Sequence, residues 1–160
     1  MLDRRLLVVH YSRTGATRRL AGHLARVLGA DEAVIVPERD YAGASGLARA
    51  ALDTLAARTP ALAPLKVDPA DYDLVLVGTP IWLRHISPPV RAFLEDAKSR
   101  LQDYACFYTG GEFGLAEAGE NMARIVGRSP AAVLDMDRRE EGRASYDDKI
   151  AAFIRELAPE

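Results

Sequence analysis

Two apolar patterns alternate along the chain. Short continuous runs occur at Leu6-Leu7-Val8-Val9, Ala33-Val34-Ile35-Val36, Leu74-Val75-Leu76-Val77, Tyr104-Ala105-Cys106-Phe107-Tyr108 and Ala131-Ala132-Val133-Leu134. Runs without polar alternation suit parallel strands covered on both faces, so each predicts a strand. Between them the apolar residues fall at helical spacing. Leu20, Leu24, Val27 and Leu28 define a first helix, with Gly29 where a helix C-terminus favours glycine. Leu47 to Ala57 predicts a second helix whose stripe of Leu47, Ala50, Ala51 and Leu55 is expected to face the core. Pro88 and Pro89 suit the start of a third, with Val90, Phe93, Leu94, Ala97 and Leu101 buried. Met122, Ile125 and Val126 mark a fourth, ending near Gly127. Ser145 with Asp148 reads as a capping box opening the last, whose buried face is Ile150, Phe153, Ile154 and Leu157.

Strand and helix thus alternate five times. The pattern predicts an α/β fold with a doubly wound, five-stranded parallel sheet between two helical layers. Right-handed crossovers leave few strand orders, and 2-1-3-4-5 is one of the two common ones. The 160 residues are read as one domain, 1–160, with no internal repeat or linker.

Composition narrows the function. Hydrophobic residues make up 49%, so disorder is not expected, and a net charge of −2 gives no case for nucleic acid or an anionic membrane. The opening MLDRRLL lacks an apolar stretch long enough for a signal peptide and no run is long enough to span a membrane, so a cytoplasmic location is expected. Cys106, the single cysteine, lies in an apolar strand and is expected to be buried and inert. With three scattered histidines, no metal site is recognisable. His10 and His23 are read as packing or surface residues, and Arg138 to Arg143 as a solvated charged turn.

The chemistry lies in the turns that follow strands. Ser12-Arg13-Thr14-Gly15-Ala16-Thr17 joins the first strand to the first helix. Unpaired N–H groups at a helix start carry the positive end of the macrodipole and suit a phosphate. Ser12, Thr14 and Thr17 add hydroxyls, and Gly15 lets the backbone turn freely. The segment lacks the Gly-Lys-Ser/Thr of a Walker loop and the three glycines of a dinucleotide fingerprint. An ordinary capped turn would also use Ser, Thr and Gly. In a doubly wound sheet the turns after strands one, three and four converge at the carboxyl edge. The second of these is Gly78 to His85, which includes Pro80-Ile81-Trp82, and the third is Thr109-Gly110-Gly111-Glu112. Trp82 can wall a flat ring, and Gly110 and Gly111 permit close backbone approach. Tyr41, after strand two, could lean toward that ring, or could serve as a surface or subunit contact.

SRTGAT, GTPIW followed by SPPVRAFL, and FYTGGEFG resemble the phosphate loop and two flavin-flanking loops of the flavodoxin family. The resemblance runs from about Leu6 to Leu157. It implies a flavodoxin-like fold and non-covalently bound FMN. By it, Ser12, Arg13, Thr14, Gly15, Ala16 and Thr17 would hold the phosphate. Pro80, Ile81 and Trp82 would line one side of the ring, and Gly110, Gly111 and Glu112 the other. Ala16 stands where the family often has Asn. No further residue is assigned a catalytic role.

Two expectations about electron transfer follow. In typical flavodoxins the loop after strand three contains a Gly whose peptide flips to accept a hydrogen bond from the one-electron-reduced ring. Here the segment reads Trp82-Leu83-Arg84, and a flip needing positive φ at a non-glycine residue costs roughly 1–2 kcal/mol, so the half-reduced state should gain less support and two-electron chemistry is relatively favoured. Arg84 and His85 would also bring positive charge near the ring, which favours its anionic fully reduced form. The resemblance implies a redox protein passing electrons through FMN to a partner protein or a small-molecule acceptor. An FMN-dependent NAD(P)H or quinone-type reductase is the alternative. A signalling receiver on the same fold is a remote one, because His10-Tyr11-Ser12 stand where receivers cluster acidic residues. The sequence specifies no oligomeric state.

Overall fold

A computed structural model describes residues 4–111 and 115–158. Five parallel strands form its main sheet: β1 (Leu6–His10), β2 (Asp31–Val34), β3 (Leu74–Trp82), β5 (Tyr104–Gly110) and β6 (Val133–Asp137). Their spatial order is β2-β1-β3-β5-β6, which is 2-1-3-4-5 once the short antiparallel β4 (His85–Ile86), paired only to β3, is set aside. The helices are α1 (Ala16–Leu28), α2 (Gly43–Leu55), α3 (Pro88–Ala97), α4 (Leu115–Val126) and α5 (Ala144–Leu157).

The strand pleat divides the apolar runs between two cores. Leu7, Val9, Val75, Val77, Cys106 and Tyr108 face one side, where Ala50 of α2, Val90 and Phe93 of α3, and Ala118 and Met122 of α4 cover them. Leu6, Val8, Leu74, Leu76, Ala105 and Phe107 face the other, packed against Leu20 and Leu24 of α1 and Ile150, Phe153 and Leu157 of α5. Continuous apolar runs at β1, β3 and β5 are thus explained by burial on both faces. The edge strand β6 instead alternates, with Leu134 and Met136 buried and Val133 43% exposed.

Several elements depart from the sequence reading. The second strand is Asp31–Val34, not 33–36. Val36 and Glu38 leave the sheet to bond with Ala63 and Ala61, and Pro37 bridges Leu62. The last helix begins at Ala144 with no side-chain cap, so Ser145 and Asp148 form no capping box. The capping box lies earlier, between Asp137 and Glu140, inside the turn read as merely solvated. On α1, Val27 is exposed rather than buried.

The second helix is rotated relative to its predicted face. Leu47 and Leu55 are 58% and 70% exposed, while Gly46, Ala50, Asp53 and Thr54 face inward. Two contacts fix that rotation. A Cβ at Gly46 would lie 2.2 Å from the backbone of Tyr41, and the buried Tyr41 hydroxyl donates to Asp53 Oδ2 at 2.8 Å. A buried carboxylate is costly unless bonded, so this pair outweighs the apolar stripe.

The third strand runs past its predicted end. Residues 78–82 stay in the sheet, and Leu83-Arg84 form a two-residue hairpin turn between Trp82 and His85. Leu83 has φ 48° and Arg84 φ 67°. Positive φ at both central residues is the type I′ requirement, normally met by Asn-Gly. The positive φ that was counted as a penalty on a flip at these non-glycine residues is thus already present in the fold, because a tight antiparallel hairpin demands it. Replacing Leu83-Arg84 by Asn-Gly should stabilise the fold by about 1–2 kcal/mol, read as a higher midpoint in urea with unchanged m.

Candidate functional site

The carboxyl ends of β1, β3 and β5 form one rim, as parallel register requires: His10 is level with Gly78, and Gly78 with Phe107. The turn after β1 is internally ordered. The Gly15 N–H donates to Ser12 Oγ at 2.9 Å, and Gly15 takes φ 103°. Gly15 caps α1 with no side-chain bond to the helix, and the first turn holds no acidic residue. The leading amides of a thirteen-residue helix thus lack a side-chain partner, and the dipole is uncompensated by any carboxylate there. Thr14 is exposed above them.

The other residues of this turn have structural partners. The Thr17 and Thr109 hydroxyls meet at 2.7 Å in a buried contact that ties α1 to β5. Arg13 donates from Nε to the Tyr41 carbonyl at 2.9 Å and from Nη2 to that of Gly43 at 3.4 Å, joining the turn to the start of α2. Arg19 is held by Glu141 through two bonds of 2.9 and 3.1 Å.

Across the rim, Pro80 is buried while Ile81 and Trp82 are half-buried at the end of β3. Trp82 meets Tyr11 and Tyr41 edge-to-face, at centroid distances of 5.8 and 5.7 Å, and those two rings are 6.5 Å apart. Each such pair adds about 0.5–1.5 kcal/mol beyond burial, so Trp82 is backed by a rigid wall. Tyr41 is 1% exposed, hence neither a surface nor a subunit contact. Burial pushes the Tyr11 hydroxyl up to about 12 and raises that of Tyr41 as well, so both stay protonated.

Thr79 holds the hairpin to α3. Its hydroxyl lies 3.0 Å from Ser87 Oγ and accepts from the Ser87 N–H at 3.1 Å. On the third turn, Gly110 ends β5 and Gly111 is exposed, with open space where a Cβ would stand. Glu112, with Phe113 and Gly114, lies outside the described residues.

A cleft of about 330 Å³ joins two of these turns: Arg13 and Thr14 line one end, Pro80, Trp82 and Leu83 the other. Leu47 and Ala51 of α2 and Arg138 beyond β6 complete it. Sequence reasoning missed Arg138, and also Tyr11 and Tyr41 as the backing of Trp82. None carries a local signal, because only the strand order brings them to the rim. A larger open groove of about 780 Å³ lies between residues 59–69 and α3. It contains none of the rim residues, so the smaller cleft is the candidate site. Arg84, at the tip of the hairpin, lies 3.8 Å from Glu117, both exposed. Cys106 is fully buried beside the Tyr108 hydroxyl at 2.9 Å, and burial pushes its thiol up to about 12, which makes it inert as expected.

A doubly wound sheet with an uncapped, hydroxyl-bearing first turn and an aromatic wall beside it defines a nucleotide- or flavin-binding α/β protein. The flavodoxin family model matches residues 5–154, and the chain belongs to the flavodoxin family. A flavoprotein from Lactobacillus acidophilus NCFM, solved in complex with FMN, superimposes with a TM-score of 0.72 at 21% identity over 89% of this chain and 99% of that one. The Trp repressor binding protein of Bacillus subtilis gives 0.59 at 16% over 97% and 100%. A flavodoxin of Streptococcus pneumoniae TIGR4 gives 0.57 at 18% over 95% and 96%. Comparison with curated proteins returned no match. Family membership and the FMN-bound relative support FMN as the cofactor. Among the described residues, no group of side chains could hold a metal ion and no helix is long and apolar enough to cross a membrane.

Proposed function

We propose that this protein carries electrons on FMN seated at the β1–β3–β5 rim. The observation that supports it most is the cleft that runs from Arg13 and Thr14, in the turn before α1, to Trp82. On this reading the amides of Thr14, Ala16 and Thr17 hold the phosphate, Gly15 turns the backbone around it while its own N–H is held by Ser12 Oγ, and the Ser12 and Thr14 hydroxyls donate. An anion at a helix N-terminus gains up to about 2 kcal/mol. Trp82, Pro80 and Ile81 flank the ring on one side, and Gly110, Gly111 and Glu112 on the other. FMN supplies reversible electron transfer, and the chain binds it, orients it and limits water at its inner face. The Thr17 and Arg13 side chains act indirectly, fixing the turn to β5 and to the start of α2.

The acceptor is a redox partner protein or a small molecule. Apolar Leu47, Ala51 and Leu83 along the cleft favour a flat, uncharged acceptor, and this observation sustains the reductase reading. The hairpin no longer separates the two, since Leu83 and Arg84 already hold positive φ. A buried, unpaired thiol suits a reducing compartment, and the cytoplasm is the proposed location.

A redox titration of the FMN-loaded protein, followed by absorbance, tests the carrier reading. One-electron-reduced flavin should accumulate at the midpoint, and NAD(P)H should oxidise it slowly. Direct passage to the two-electron-reduced state, with rapid NAD(P)H oxidation, would establish the reductase instead.

A further inference from the structure

We infer that His10 is a ligand of the FMN phosphate and takes up a proton when that phosphate binds. The inference rests on the site proposed above and adds a residue and a linked proton to it.

His10 closes β1, directly before the phosphate turn, and its side chain is 1% exposed. Its Nε2 lies 2.8 Å from Glu32 Oε1 on β2. A carboxylate only accepts, so Nε2 carries the hydrogen and donates. That fixes the tautomer: in neutral His10, Nδ1 is a bare lone pair. This Nδ1 is buried and has no hydrogen-bond partner, the one such side-chain atom among the described residues. An orphan of this kind points to a missing ligand. His10 also lines a basin of about 320 Å³ with Ser12, Arg13, Thr14, Gly15, Arg18 and Val34, at the uncapped start of α1.

The charged groups around the ring are Glu32 from β2, Arg18 from α1 and Arg13 from the turn. Without ligand, burial pushes the imidazole below its ordinary 6.5, with Arg18 acting the same way and Glu32 opposing. The unfolded chain then binds more protons than the fold just below pH 6.5, so the ligand-free protein should lose stability as pH falls through that range and level off once His10 is protonated in the fold. A phosphate dianion reverses the balance. One proton from solvent adds to Nδ1, and the imidazolium then donates from Nε2 to Glu32 and from Nδ1 to a phosphate oxygen. A phosphate monoanion that brings its own proton reaches the same complex. No other bond forms or breaks.

The test is an NMR titration of the histidine ring resonances, with and without saturating FMN, using His10→Gln to assign the signal and His23 as internal reference. FMN should raise the His10 pKa by at least about one unit, equivalent to tenfold tighter binding to the protonated protein. Riboflavin, which lacks the phosphate, should leave it unchanged. In His10→Gln the FMN affinity should fall about tenfold below roughly pH 6 and converge with the wild type above roughly pH 8. An unchanged or lowered His10 pKa in a protein that binds FMN overturns this inference alone. Failure to bind FMN at all overturns the site proposal, and this inference with it.

Discussion

Trp82→Ala is expected to weaken FMN binding roughly 30- to 150-fold. The substitution removes the flat apolar wall at one end of the cleft, worth about 2–3 kcal/mol from lost burial and ring stacking together. It also releases the edges of Tyr11 and Tyr41, which Trp82 meets at 5.8 and 5.7 Å. Those rings remain buried, Tyr11 just past the end of β1 and Tyr41 against α2, so the fold should survive. Trp82→Phe keeps a flat ring in the same hairpin and should recover much of the affinity. Leu55→Ala, on the exposed face of α2, should leave FMN affinity alone. Quenching of flavin fluorescence, with urea denaturation of each variant, separates lost binding from lost structure.

Gly78→Ala should be strongly destabilising for the addition of a single methyl. Gly78 sits in the central strand β3, opposite Phe107 of β5. A Cβ there would stand 2.2 Å from Cζ and 2.3 Å from Cε2 of the Phe107 ring, which lies across the glycine. Phe107 is fully buried between β5 and the α1–α5 layer, so its ring has nowhere to retreat. Overpacking of this sort costs typically about 1–3 kcal/mol, and a fully enclosed ring places it at the upper end, about 3 kcal/mol. That is a large share of the roughly 5–15 kcal/mol that holds a domain together. Shortening the neighbour should relieve it: Gly78→Ala with Phe107→Leu is expected to be less destabilised than the sum of the two single changes, as adjacent sites couple. Because Gly78 leads into Thr79 and Pro80, FMN affinity should fall with stability and return with it in the double variant.

The central sheet was legible because its physics is local to each strand. Leu6–Val9, Leu74–Val77 and Tyr104–Tyr108 are buried on both faces, so their apolar runs have no competing explanation. The turn between β1 and α1 was legible as a turn for a similar reason: a strand, three hydroxyls, one glycine and a helix are contiguous in the chain. What escaped depends on partners far away in sequence. The rotation of α2 is set by the Tyr41–Asp53 bond and by Gly46 against Tyr41, which no helical periodicity encodes. The Leu83-Arg84 hairpin lacks Asn-Gly, so nothing local marks the turn; the ladder of Ile81 with Ile86 and Trp82 with His85 imposes it. Arg138 looked like one solvated charge among several, and reaches the cleft only because β6 lies beside β5. His10 reads from sequence as a packing or surface residue; its burial fits packing, but the sequence does not show the lone pair left over once Glu32 has taken the other nitrogen.

The account depends on one cofactor occupying one rim, and titration of the ligand-free protein with FMN, followed by flavin fluorescence, tests this most directly. It predicts saturable quenching at one FMN per chain in the micromolar range or tighter, and clearly weaker quenching by riboflavin. Flavin fluorescence that stays unquenched at millimolar protein, or that is quenched equally by FMN and riboflavin and without regard to Trp82, would contradict it.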